Sequence, residues 1–201
     1  MILSILIPSI PERAHLLNKL VHNLHEQRNK ITQQHPTIGG IQILIDDSKK
    51  FLEGGKSVGQ KRNDLVQQAT GDYLCFLDDD DEVPANYVET LVRAMAHGAD
   101  IITFNSLFKC DTYWALIDMS LSNENEEATP FGIVKRNAWH ICPVKRELAQ
   151  KHQFSNKNNA EDWEWMEKVL GGVFTEYKLN MILHQYNHFA NISAVDEIER
   201  A

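Results

Sequence analysis

Four carboxylates in a row, Asp78 to Asp81, follow the apolar segment Tyr73 to Leu77 in the stretch FLDDDDEVP. Neighbouring carboxylates repel one another and do not all stay ionised unless a cation joins them. Hard divalent ions take carboxylate and phosphate oxygens together, so the run predicts a Mn2+ or Mg2+ site. Acidic residues that only complement a helix N-terminus would need one or two of the four. A second pair, Glu161-Asp162 in AEDWEWMEKVL, opens a helical pattern. Here the choice lies between a helix cap and a general base that deprotonates an acceptor hydroxyl. Adjacent carboxylates do not by themselves make a glycoside-hydrolysing pair, which needs groups on opposite sides of the bond. The segment LHQYNHFANIS places His184 and His188 at i, i+4 without the glutamate of HExxH, which argues against a zinc protease. One of these histidines is a candidate to complete a metal shell. GGKSVG is not a phosphate loop, because GxxxxGK[ST] needs glycine at position 50 and Lys50 stands there. The Asn191-Ile192-Ser193 sequon carries little meaning in a chain read without a secretion signal.

These groups need strands that stop where the polar residues begin. Ile2 to Ile7 is an apolar run ending at Pro8 and reads as a buried strand. Leu17, Leu20, Val21 and Leu24 fall at helical spacing and predict a helix over Glu12 to Lys30. Ile41 to Ile45 is a second buried strand, stopping at Asp46-Asp47. Lys49 to Ser57, with Gly54-Gly55, reads as a mobile loop that orders when ligand binds. Ser57 to Ala69 is a helix and Tyr73 to Leu77 a third strand. Pro84 suits the first turn of a helix whose stripe is Val88, Leu91, Val92 and Met95. Ile101 to Phe104 is a fourth strand. Strand–helix alternation with short loops predicts an α/β chain with a parallel sheet covered by helices. Such sheets bind ligands outside the carboxyl ends of their strands, so Ser9, Asp46, Asp47 and Asp78 to Asp81 should line one edge. The second half is less regular. Phe108 to Met119 alternates weakly, Ser120 to Pro130 is an acidic loop, Val144 to His152 and Glu161 to Leu170 are helical, Val173 to His188 is extended, and Asp196 to Ala201 is a surface tail.

A chain of 201 residues suits one domain with a proper core. Its 43% apolar and 24% charged residues are an ordinary globular balance. No apolar run approaches the ~20 residues of a membrane span. The opening MILSILIPSI reads as a core strand and not a signal peptide. Cys75, Cys110 and Cys142 lie far apart without CxxC spacing, which argues against a disulfide scaffold or zinc knuckle and predicts a cytoplasmic protein. A net charge of −8 weighs against a dedicated nucleic-acid binder, although Lys49 to Arg62 and Lys135 to Arg146 are locally basic.

Taken in order, ILIPSIPER, ILIDDS, VGQKRNDLVQQATGDYLCFLDDDDEVP and the Glu161-Asp162 pair resemble the family 2 glycosyltransferases, most strongly over Ile2 to Asn105. The resemblance implies the A-type glycosyltransferase fold: one domain, 1–201, with a mostly parallel, Rossmann-like sheet flanked by helices. Residues 1–105 would form the nucleotide-binding half and 106–201 the acceptor side. It implies a nucleotide-sugar donor, a UDP-sugar by expectation, and an acceptor hydroxyl on a saccharide or other glycan. Pro8, Ser9 and Arg13 would border the nucleotide after the first strand. Asp46 or Asp47 would accept a hydrogen bond from the base or ribose. Lys61 and Arg62 belong to the same subsite, with Arg62 clamping phosphate or the base edge. Asp79 borders the nucleotide too, and Asp78 would meet the ribose or a metal-bound water. The metal set is Asp80, Asp78 and, through the YNH segment, His188. Of the Glu161-Asp162 pair, Asp162 would be the base, and direct displacement would invert the anomeric carbon. Trp139, Trp163 and Trp165 would stack on sugar rings, at least one of them belonging instead to the core. Three alternatives stay open. One is a transferase acting on a modified DNA base, as in small virus-encoded enzymes. Another is a sugar nucleotidylyltransferase, which would want a glycine-rich basic loop where PSIPERAHLL has no glycine. The last is a non-catalytic carbohydrate- or metal-binding module, which would not need Arg62 and Asp162 together.

Overall fold

A computed structural model describes residues 1–34, 39–50, 53–127 and 129–188. The continuous apolar run at the start forms β1 (Ile2–Pro8), buried from Leu3 onward. It pairs in parallel with β2 (Gly40–Asp46) on one side and β3 (Tyr73–Phe76) on the other. Such a strand has no solvent face, and therefore shows no alternation. β2 is the outer strand, and it is half-buried, not buried as its composition suggests; Ile45 is exposed. The helix α1 (Ala14–Gln34) begins after a 3-10 turn at Pro11–Arg13 and runs one turn further than its periodicity predicts, because Ile31 adds a last buried contact. α2 (Val58–Gln68) has a full capping box, with Ser57 accepting from the Gln60 amide and Gln60 reaching back to the Ser57 amide. Pro84 does not open the next helix: the Tyr87 amide donates to its carbonyl from the first residue of α3 (Tyr87–Met95), so Pro84 lies in the preceding turn.

β4 (Ile101–Cys110) is longer than expected and turns into β5 (Trp114–Met119), so the weakly alternating segment is an antiparallel hairpin. β6 (Ile133–Arg136) has no counterpart in the sequence reading. The stretch read as helical from Val144 is β7 (Val144–Lys145) followed by one turn, α4 (Arg146–Ala149). α5 (Glu161–Leu170) and β8 (Glu176–His188) match expectation. The sheet order is β2-β1-β3-β7-β4-β5-β6, with β8 also on β4. The pairs β1–β2, β1–β3, β4–β8 and β5–β6 are parallel; β3–β7, β4–β5 and β4–β7 are antiparallel. The sheet is thus mostly parallel and flanked by helices, with β7 inserted antiparallel between β3 and β4. Asp100 locks that insertion. Its carboxylate meets Lys145 Nζ at 2.9 Å and accepts from the Phe174 and Thr175 amides at 3.0 Å, tying β4 to β7 and to the entry of β8.

The parallel register sets Pro8 beside Asp46 and Leu6 beside Phe76. The polar residues that follow β1, β2 and β3 therefore share one edge, as the alternation predicts. Lys49 to Lys56 closes on itself through amide donation from Glu53 and Gly55 to Lys50 and from Lys56 to Lys49. Phe51 and Leu52 of the expected mobile loop, the sequon at Asn191 and the tail Asp196 to Ala201 lie outside the described residues. Among the described residues, no helix is long and apolar enough to cross a membrane.

Candidate active site

At the carboxyl edge a cavity of about 340 Å3 is bordered by Pro8, Ser9, Arg13, Lys61, Arg62 and the aspartates 78 to 80. Its electrostatics rest on paired charges. Asp79 is 3% exposed; Ser9 Oγ donates to its Oδ2 at 2.6 Å and Arg13 lies 2.9 Å from Oδ1. Burial pushes its carboxyl up to about 7, against the pull of Arg13 and Ser9. The same Arg13 nitrogen reaches Asp80 at 2.6 Å, and Asp80 is likewise raised by burial. Lys61 is 2% exposed and donates to the Ser9 and Ser48 carbonyls at 2.6 and 2.5 Å. It braces the ends of β1 and β2, and burial lowers its ammonium pKa. Asp46 accepts from Lys56 at 2.8 Å and from the Ser48 amide and Asp47 is exposed; neither lines this cavity, which Lys56 borders in their place. Against the cost of burial, Lys56 and Ser48 hold Asp46 below its ordinary value.

Arg62, expected to clamp phosphate or the base edge, borders this cavity and is also engaged by the protein itself. It is 4% exposed, pairs with Asp78 at 3.0 Å and Glu161 at 3.4 Å, and lies over the rings of Phe76 and Phe154. It bridges the end of β3 to the start of α5. That start is set by two tight features. Gly59 lies flush against the segment before α5, its amide donating to Lys157; a Cβ there would stand 1.9 Å from the Ser155 carbonyl. Ala160 precedes the helix in the left-handed region (φ 59°), which costs a non-glycine residue about 1 kcal/mol or more. Neither acid is the helix cap: Ala160 occupies that position, with no side-chain cap bond. Glu161 is buried against Arg62, and burial raises its carboxyl. Asp162 turns to His140, whose Nδ1 lies 3.1 Å from Oδ2. Burial works against ionising Asp162, but the His140 hydrogen bond and charge, Arg62 and the Trp163 amide outweigh it and hold the carboxyl well below its usual range.

A second cavity of about 760 Å3 opens on the other side, walled mainly by apolar and aromatic groups including Phe108, Ile117, Trp139, Trp163, Met166 and Tyr186. Asp78, Asp162 and Tyr186 border both cavities. Trp165 is the core tryptophan, stacked on Phe154 and edge-on to Phe76. His184 and His188 lie on one strand, β8, where i, i+4 separates them by roughly 13 Å. His184 is the one that meets an aspartate: Nε2 is 3.0 Å from Asp81 Oδ2, and Nδ1 is 2.7 Å from Ser106 Oγ. His188, expected in the metal set, lies instead at the strand end beside Cys110, its ring against Phe108 and Tyr186. Sequence reasoning missed His140, which sits in the irregular link between β6 and β7 and has no motif spacing to either acid. Among the described residues no three His, Cys, Asp or Glu side chains converge to hold an ion by themselves.

Comparison with known proteins gives three findings. The model of glycosyl transferase family 2 matches residues 49–152, just over half of the chain. No curated protein matches. Among solved structures, S. aureus TarS 1–349 superposes with a TM-score of 0.63 at 14% identity, over 93% of this chain and 60% of that one. The same fragment in complex with UDP-GlcNAc gives 0.62 at 12% (94% and 59%), and in complex with UDP 0.61 at 12% (94% and 61%). The chain thus spans about three fifths of the TarS fragment it matches. At such low identity the superposition speaks for the fold, and the sequence match across β3 and its aspartates speaks for descent: the chain belongs to glycosyl transferase family 2 and has the A-type glycosyltransferase fold.

Proposed function

We propose that this chain transfers a sugar from a nucleoside-diphosphate sugar, a UDP-sugar by the likeness to TarS in complex with UDP-GlcNAc and UDP, to an acceptor hydroxyl with inversion. The observation that carries this reading is the shared wall. A polar cavity at the strand ends and a larger aromatic cavity meet at Asp78 and Asp162. In this reading residues 1–105 supply most of the donor side and 106–201 most of the acceptor side of a single domain. The acceptor oxygen attacks the anomeric carbon from the larger cavity, the bond to the diphosphate breaks on the other side, and Asp162 takes the hydroxyl proton. His140 fixes the orientation of that carboxylate and keeps it ionised. A carboxylate so held is a weak base toward a free alcohol, so the proton moves as the oxygen becomes acidic in the transition state. Ser9 and Arg13 would border the diphosphate, and Asp46, paired with Lys56 of the cavity wall, or Asp47 would meet the base or ribose.

The donor set also fits a divalent ion. Asp79 and Asp80 already hold a cation, Arg13, at 2.9 and 2.6 Å. Mg2+-type sites are commonly made of one or two carboxylates plus substrate phosphates, so three converging side chains are not required. Asp80 and Asp78 would hold Mn2+ or Mg2+, which when bound neutralises charge on the departing diphosphate. Three free cysteines accord with a cytoplasmic setting. The test is a panel of UDP-sugars with Mn2+, read by donor hydrolysis and nucleotide calorimetry. Asp162→Asn should keep UDP affinity and lose transfer by roughly 10² or more, and Asp80→Ala should abolish metal-dependent UDP binding. Near-native transfer by Asp162→Asn, or unchanged UDP affinity in Asp80→Ala, overturns the assignment.

A further inference from the structure

The basic segment Lys135 to Arg146 resolves into residues with different uses. Lys145 pairs with Asp100, and Arg146 donates to the Gly71 carbonyl and to Gln150. Lys135 points outward from β6 and is exposed, while the buried Val134 marks the inward face of the same strand. Arg136 shares that inward face by alternation and borders the larger cavity. Its side chain makes no ion pair or hydrogen bond with any described residue, whereas the acids around the cavity are engaged. Asp78 is held by Arg62, Asp81 by His184 and Asp162 by His140, and Glu167 accepts from Trp163 Nε1. A guanidinium facing an aromatic-walled cavity without a carboxylate partner is a receptor for an anion on a ring-bearing ligand, because its planar fork matches phosphate and carboxylate oxygens.

We propose that the acceptor is a ring-bearing molecule with an anionic group, phosphate or carboxylate, remote from the attacked hydroxyl, and that Arg136 receives that group. The proposal rests on reading the larger cavity as the acceptor side. The aromatic walls, Phe108, Trp139, Trp163 and Tyr186, take the faces of the acceptor's rings. The anion sits several strands from the chemistry, since β6 closes one end of the sheet and Asp78 follows β3. This separation keeps the anion from repelling the departing diphosphate and from quenching the base.

The experiment is calorimetric titration of the full chain, without donor, using phenyl phosphate, phenylacetate and benzyl alcohol as probes. Wild type should take one of the anions more tightly than benzyl alcohol, and which anion is preferred separates a phosphate-bearing acceptor from a carboxylate-bearing one. Arg136→Ala should weaken that anion by about tenfold or more and leave benzyl alcohol unchanged. Arg136→Lys should retain part of the effect, and Arg136→Gln serves if the alanine variant melts early. Equal affinity of wild type for all three probes, or an undiminished anion affinity in the alanine and glutamine variants, overturns the proposal. Because no transfer is measured, loss of the Arg136 effect and failure of the transferase reading are separate outcomes.

Discussion

Arg62 holds Glu161 in the interior and Asp78 at its edge while its own guanidinium lies over the contacting rings of Phe76 and Phe154. Removing it leaves Glu161 without a countercharge inside the protein, which is where broken ion pairs are most costly. Arg62→Ala should therefore destabilise the fold by about 3–5 kcal/mol, read as a lower urea midpoint at unchanged m-value. Loss of donor binding with stability intact would show instead that Arg62 acts on ligand. At this scale the aspartate run was legible, because four like charges in sequence have few explanations. The Glu161-Asp162 pair was legible as an acidic pair at a helix start. The partners of these acids were not: His140 and His184 come from an irregular link and from a strand, and only the folded backbone brings them to Asp162 and Asp81.

Asp100 shows how one element end holds several others. It faces Lys145 and the amides of Phe174 and Thr175, and although burial works against ionisation these partners bring its carboxyl from 3.8 to about 2. The folded pKa is depressed, so the stability it contributes is present above the unfolded value and is lost as pH falls through about 4 toward about 2. Asp100→Asn should cost about 2 kcal/mol at neutral pH and flatten the acid limb of the stability curve between pH 4 and 2, measured by urea titration at several pH values. A parallel downward shift at every pH would assign the loss to packing. The long strands and amphipathic helices could be read from period and run length. β7 and β6 could not, because two or four residues carry no measurable period and owe their strand form to neighbours already in place. β2 was read as buried because composition does not tell an outer strand from an inner one.

For the molecule as a whole, a division at residue 105 would cut through the core, and both cavities take residues from either side of it. Every strand that covers β4, namely β5, β7 and β8, comes after that point, and β3 takes its second neighbour, β7, from there too. A segment of residues 1–105 should therefore show no cooperative thermal transition by circular dichroism, whereas the full chain should melt in one step. A sharp transition in the fragment would make the halves separate domains. The fold class was readable because it follows from element order, while the mixed part of the sheet depends on returns from distant sequence. One helix also makes the molecule easy to interrogate optically. Trp163 and Trp165 lie about 200° apart around α5, one 44% exposed beside the larger cavity and the other 1% exposed within the aromatic core. A quencher such as acrylamide will dim the first, together with the exposed Trp114, and spare the second, so the native chain should show two classes of tryptophan emission. The blue-shifted class will vanish only when the whole protein unfolds, while the Trp163 share of the red class will respond to whatever enters the cavity.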